Sequence, residues 1–93
     1  MIKSFKCKKT ELLFEEHKVD KQFFEIAQKA LMKLELIDAS SDLRDLAIPP
    51  SNRLEKLYGN RAGSYSIRIN DKWRICFKWI NGNAYDAEII DYH

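Results

Sequence analysis

The stretch that decides the fold is YSIRINDKWRICFKW, which spans residues 65–79. Apolar and polar side chains alternate on each side of its centre, so it predicts two strands that each have one apolar face. Both apolar faces lie on the same side of the sheet when Ile69 is opposite Trp73, with a connection at residues 70–72. That register places Arg68 directly opposite Arg74.

A second hairpin is predicted at residues 81–83, which read Asn-Gly-Asn. Keeping the apolar faces together favours a three-residue connection. The expected pairs are Trp79 with Tyr85 and Ile75 with Ile89. A two-residue Asn-Gly turn is rejected because it would place Asp86 against the core. On the polar face, the preferred register sets Lys78 opposite Asp86 and brings the end of the chain beside Arg74.

The first half of the chain has a helical pattern. Residues 1–7 predict a short strand, and Thr10 is the predicted N-cap of a short helix. A longer helix is predicted over residues 20–38, with Asp20 as its N-cap. Its apolar stripe consists of Phe23, Ala27, Ala30, Leu31, Leu34 and Ile37. We interpret this stripe as a packing surface, because a helix beside a sheet buries one apolar face.

These segments predict an α+β fold. A short N-terminal strand and two helices would pack on a mainly antiparallel sheet of about four to five strands. The 93 residues, 45% of them hydrophobic, fit a single domain over residues 1–93. The apolar runs are far shorter than the roughly 20 residues that span a bilayer. Residues 1–6 carry lysines without a following apolar segment, so we expect a cytoplasmic protein with no membrane contact.

Cysteine and histidine usage argues against cross-links and metals. Cys7 and Cys76 are expected to be reduced thiols. We interpret His17 as a solvated loop residue. No group of these side chains has the spacing of a metal site, so no metal and no cofactor is expected.

Charge is distributed unevenly along the chain. Residues 11–45 hold nine acids against five bases, whereas residues 53–78 hold seven bases against two acids. Ordinary surface scatter is one interpretation of a net charge of only +2. The position of the bases, concentrated around the first hairpin, favours an anionic partner.

The opposed arginines are the clearest chemical signal. Two like charges across a hairpin repel unless something anionic lies between them. One interpretation is that each arginine reaches solvent or pairs with an acid such as Glu88 or Asp91. The other is phosphate binding, because a planar guanidinium matches phosphate oxygens. Metal-free RNA cleavage would also need a proton donor and acceptor, and Asp91, Tyr92 and His93 are the candidates. Their order in the reaction stays open.

Four segments carry a family resemblance. They are MIKSFK (1–6), NRLEKL (52–57), YSIRINDKWRICF (65–77) and EIIDYH (88–93). Together they resemble the HigB toxins of type II toxin–antitoxin systems, in the RelE/ParE superfamily. The resemblance implies a RelE/ParE-type fold and a ribosome-dependent endoribonuclease that cleaves mRNA. It also implies a helix-turn-helix HigA antitoxin, contact with the 16S rRNA of the ribosome, and operator DNA bound only through the antitoxin.

The resemblance also implies site residues. The implied catalytic residues are Arg68, Arg74, Asp91, Tyr92 and His93. The expected RNA-binding residues are Lys56, Tyr58, Arg61, Lys72 and Lys78. The chain has Tyr58 where the family commonly has lysine, and Lys56 is expected to point to the opposite side of its strand. Two alternatives follow: a binding toxin of the same fold with a gyrase-type target, or a degenerate toxin that acts mainly through its antitoxin complex.

Overall fold

The centre of the protein is a four-stranded antiparallel sheet in the order β1-β2-β3-β4. A computed structural model describes residues 1–91, so Tyr92 and His93 lie outside the described residues. The elements are α1 (Lys8–Glu16), α2 (Ala27–Ala39), β1 (Glu55–Lys56), β2 (Ser64–Arg68), β3 (Trp73–Ile80) and β4 (Asn83–Asp91). Both helices pack against β4.

The β2–β3 hairpin has the predicted register. Arg68 pairs with Arg74, and Ile67 pairs with Ile75. The backbone N–H of Ile69 donates to the carbonyl of Trp73 at 2.9 Å, which closes the hairpin as expected. The alternating pattern succeeds here because one face is buried in the core, and a one-residue slip would expose every apolar side chain.

The β3–β4 hairpin corrects one prediction. Ile75 pairs with Ile89 as expected, but Trp79 pairs with Ala84 rather than with Tyr85. The turn is therefore the two-residue Asn-Gly turn at residues 81–82, with φ values of 50° and 81°. Asp86 stays out of the core because it takes a left-handed conformation, φ 54°, where the pairing shifts at a β-bulge. The bulge absorbs the extra residue. Lys78 therefore pairs with Tyr85 rather than with Asp86, although the Asp86 carboxylate lies 3.5 Å from Lys78 Nζ.

The first helix also begins differently from the prediction. Cys7 is its N-cap, and Thr10 lies fully buried inside the helix. The hydroxyl of Thr10 accepts a hydrogen bond from the backbone N–H of Ile89 at 3.0 Å. Because a buried hydroxyl needs a partner, this bond ties α1 to β4, and the prediction of a Thr10 cap is wrong.

The predicted helix over residues 20–38 is divided in two. Asp20 does act as a cap, since its carboxylate accepts from the N–H of Gln22, but it begins a short 3₁₀ turn at Lys21–Phe23. The α-helix starts only at Ala27. Between the two helical segments, the N–H of Ile26 donates to the carbonyl of Phe23 at 3.0 Å, and both side chains are buried in the core. Most of the predicted stripe is buried, namely Phe23, Ala30, Leu34 and Ile37.

The N-terminal segment adds an incomplete strand to the sheet. Ile2 and Phe5 form isolated parallel bridges with Ala84 and Ala87 of β4. The predicted α+β architecture is confirmed. No helix within residues 1–91 is long and apolar enough to cross a membrane.

Candidate active site

A polar pocket of about 270 Å³ lies at the turn end of the β2–β3 hairpin. It is lined by Arg53, Glu55, Arg68, Asn70, Asp71 and Arg74, and we call it the arginine pocket. The strand register builds it, because Arg68 and Arg74 form a cross-strand pair on the face opposite the core. β1 adds Glu55, which pairs with Ser66 of β2.

Arg74 is held in one orientation. It is only 7% exposed. Its Nε donates to Ser66 Oγ at 2.9 Å, and its Nη2 donates to the Arg53 carbonyl at 2.6 Å. The Glu55 carboxylate lies 3.7 Å from the same Nη2. These contacts fix a planar donor group before any ligand arrives.

The carbonyl acceptor for Arg74 comes from a strained position. Arg53 has a left-handed backbone with φ 44°, which costs a non-glycine residue on the order of 1 kcal/mol. The preceding residue anchors it: Asn52 is fully buried and donates to the Leu46 carbonyl at 3.1 Å. Lys33 of α2 donates to the same Asn52 side chain. Burial lowers the pKa of Lys33.

Arg68 is held more loosely than Arg74. Its side chain is 28% exposed and pairs with the carboxylate of Asp71, which is 97% exposed on the turn. The acids that pair with the two arginines are Asp71 for Arg68 and Glu55 for Arg74, and neither was named from the sequence. Glu88, one of the two acids named there, lies near Lys6 and Arg61.

The end of β4 lies beside β3 in the predicted register. Arg74 pairs with Ile90, and Trp73 pairs with Asp91. The Asp91 carboxylate lies 3.7 Å from Lys72 Nζ. Of the five expected catalytic residues, the structure brings Arg68 and Arg74 together in the arginine pocket, whereas Asp91 lies opposite Trp73 and is absent from the pocket lining. Tyr92 and His93 lie outside the described residues.

None of the five expected RNA-binding residues lines the arginine pocket. Arg61 and Lys78 line a second cavity, of about 140 Å³, and pair with Glu88 and Asp86. Lys72 lies near the end of β4, while Lys56 and Tyr58 are absent from the lining of the arginine pocket. Lys56 pairs with Tyr65 and so occupies the strand position next to Glu55, on the other face. Tyr58 is 77% exposed.

Several pocket residues escape prediction from the sequence. Glu55 and Arg53 belong to a two-residue strand and the bend before it, and two residues are too few to show an alternating pattern. Ser66 could have been predicted from the sequence, because the predicted register puts it on the same face of β2 as Arg68. A small polar residue beside a buried arginine is the available signal for a hydrogen-bond partner.

The fold, with its two helices on a four-stranded sheet, and the matched family model place the protein in the class of RelE-like toxins. Among solved structures, the chain is similar to the heterotetrameric YoeB–YefM toxin–antitoxin complex from Staphylococcus aureus. That match has a TM-score of 0.57 and 26% sequence identity, and covers 100% of this chain and 98% of the other.

Sequence comparisons narrow the class. Residues 3–93 match the family model of HigB-like toxins, described as the RelE-like toxin of the type II toxin–antitoxin system HigB. Toxin HigB-1 of Vibrio cholerae is 41% identical over 94 residues, covering 100% of this chain and 98% of that protein. Endoribonuclease HigB of Proteus vulgaris is 37% identical over 100% of both chains. The chain belongs to the HigB family, as its sequence predicted, and its partner is an antitoxin.

Proposed function

We propose that this HigB-family chain is an endoribonuclease that cleaves mRNA in the decoding site of the ribosome, in the cytoplasm. A helix-turn-helix HigA-type antitoxin would hold it inactive and carry the contact with operator DNA. Family membership and the name of the Proteus vulgaris relative support the activity. The observation that carries the proposal is the Arg68–Arg74 pair, with Arg74 fixed by Ser66 and Arg53.

The proposed reaction transfers the phosphate within the RNA. The ribose 2′-oxygen attacks phosphorus while its proton passes to a base, and the bond to the 5′-oxygen breaks as that oxygen receives a proton. The products are a 2′,3′-cyclic phosphate and a 5′-hydroxyl. Arg74 donates to a phosphate oxygen that gains charge, and a preorganised donor of this kind contributes about 10²–10³-fold to the rate. No metal takes part in this scheme.

Arg68 has a different part in the proposed reaction. Its present partner is an exposed turn carboxylate, so a substrate phosphate can replace Asp71 without leaving a buried charge unpaired.

Asp91, Tyr92 and His93 supply the proton donor and acceptor, with their order still open. Lys56, Tyr58, Arg61, Lys72 and Lys78 are proposed contacts to the RNA backbone or the 16S rRNA.

Induced expression combined with primer extension on ribosome-bound mRNA tests this function. Wild-type protein is expected to stop growth and to cut the message, while Arg74→Ala does neither at the same protein level. Co-expression of the cognate antitoxin restores growth. Normal growth with uncut mRNA in cells that contain folded wild-type protein would contradict the proposal.

A further inference from the structure

A larger groove, of about 610 Å³, lies beside the arginine pocket. One wall is the short 3₁₀ turn with Phe24 and Glu25 after it, and the other is the β2–β3 turn from Asn70 to Trp73. We call it the turn groove. It shares Asn70 and Asp71 with the arginine pocket, so the two cavities meet along the same turn.

The turn groove presents aromatic surface to solvent. Phe23 is fully buried, but Phe24 is 68% exposed. Trp73 packs edge-on against Phe23, with 5.7 Å between ring centroids and an interplanar angle of 88°. That contact holds the Trp73 wall in place. An exposed phenylalanine on a groove wall offers a flat face on which another ring can stack.

Two lysines line the groove, and Lys72 also pairs with the exposed carboxylate of Asp91 at 3.7 Å. Lys72 Nζ lies 5.5 Å from the centroid of the Trp73 ring, and Lys21 lines the opposite wall. Glu25 and Asp71 also line the groove, but Asp71 is paired with Arg68. Aromatic faces alternating with cations are the arrangement that binds single-stranded nucleic acid without a sequence requirement.

We propose that the turn groove holds one base of the RNA substrate, from a nucleotide flanking the cleaved phosphate, stacked on Phe24. This inference rests on the proposed function, because it needs the cleaved phosphate in the arginine pocket. Because Asn70 and Asp71 line both cavities, one RNA strand that rounds this turn would occupy both. Lys72, on the same turn, would contact the intervening phosphate in exchange for its pairing with Asp91.

Binding to programmed ribosomes tests the proposal apart from cleavage. The probe is a ribosome whose messenger carries 2′-O-methyl groups in the decoding codon, which blocks attack by the 2′-oxygen. Phe24→Leu keeps an apolar side chain but removes the ring, and is expected to weaken binding roughly 5- to 100-fold. Phe24→Trp should bind within about twofold of wild type. The matched control is Met32→Leu, at a position that is 59% exposed and outside the groove.

An abasic nucleotide identifies the ring that Phe24 meets. An abasic substitution at the flanking position should weaken wild type by a similar factor and should not weaken Phe24→Leu further. The inference would be overturned if Phe24→Leu bound the ribosome as tightly as wild type. It would also be overturned if Phe24→Leu weakened binding equally on intact and abasic messengers, because the lost contact would then lie elsewhere. Wild type that binds the methylated messenger but leaves an unmethylated one uncut would instead contradict the proposed cleavage alone.

Discussion

Arg68 and Arg74 face each other across one hairpin, yet they are held in different ways. Arg74 is nearly buried, with Ser66, the Arg53 carbonyl and Glu55 around its guanidinium. Arg68 is partly exposed and pairs with an acid on a solvent-exposed turn. A buried guanidinium held by several neighbours is a donor of fixed orientation, whereas an exposed ion pair exchanges partners at little cost. We therefore propose that Arg74 stabilises charge in the reaction and that Arg68 captures the phosphate.

Replacing Arg74 should have the largest effect on RNA cleavage. Arg74→Ala removes the fixed donor, so the maximal cleavage rate on ribosome-bound mRNA should fall by about 10²–10³-fold or more. Single-turnover kinetics measures that rate, and circular dichroism confirms the fold. A variant that is folded and cuts at the wild-type rate would show that Arg74 has no part in the chemistry.

Ser66→Ala should have the next largest effect, because it acts through Arg74. Loss of the hydroxyl leaves the buried Nε without its 2.9 Å acceptor. We expect unfolding free energy to fall by about 1–3 kcal/mol. The maximal cleavage rate should fall roughly tenfold with KM unchanged, because each 1.4 kcal/mol of lost transition-state stabilisation is a factor of ten.

Ser64→Ala is the matched control for Ser66→Ala, two residues earlier on the same strand and also buried. It should leave the maximal rate unchanged. Equal rate losses in the two serine variants would mean that Ser66 contributes packing alone and does not orient Arg74.

Asp71→Asn tests the loosely held side of the pair. Removing the carboxylate frees Arg68 for phosphate, and an exposed ion pair is worth about 0.2–1 kcal/mol. KM for ribosome-bound mRNA should therefore fall up to about fivefold at low salt, and the difference should shrink as salt screens the pair. An increase in KM would indicate that Asp71 helps to bind RNA rather than competing with it.

Tyr58→Lys should have the smallest effect. Tyr58 is exposed and does not line the arginine pocket, so a lysine there adds at most a distant, screened attraction to RNA. Primer extension should show less than about a threefold change in cleavage, consistent with the small worth of an exposed charge. A gain of tenfold or more would mean that Tyr58 weakens the natural enzyme.

The sequence was enough to predict the β2–β3 hairpin because a buried face ties the register to the apolar pattern. The pairing of Arg68 with Arg74 followed directly. The same rule failed for β3 beyond Cys76, since it assumes regular strands and the left-handed Asp86 lies at a bulge. Local bends of this kind depend on tertiary packing.

The residues that surround Arg74 also could not be predicted from the sequence pattern. Glu55 reaches the pocket from a two-residue strand. The Arg53 carbonyl is oriented by a bend that Asn52 and Lys33 anchor, through contacts between distant parts of the chain. No local periodicity encodes such contacts, so the identity of the arginines was predictable and their unequal restraint was not.

Lysine substitution at each arginine tests the difference between them most directly. Lysine keeps the positive charge but lacks the planar guanidinium and its paired N–H donors. In single-turnover cleavage of ribosome-bound mRNA, Arg74→Lys should lower the maximal rate by about 10²-fold with little change in KM. Arg68→Lys should mainly raise KM. Equal effects of the two substitutions on rate and on KM would contradict the assignment of a fixed and an exchangeable arginine.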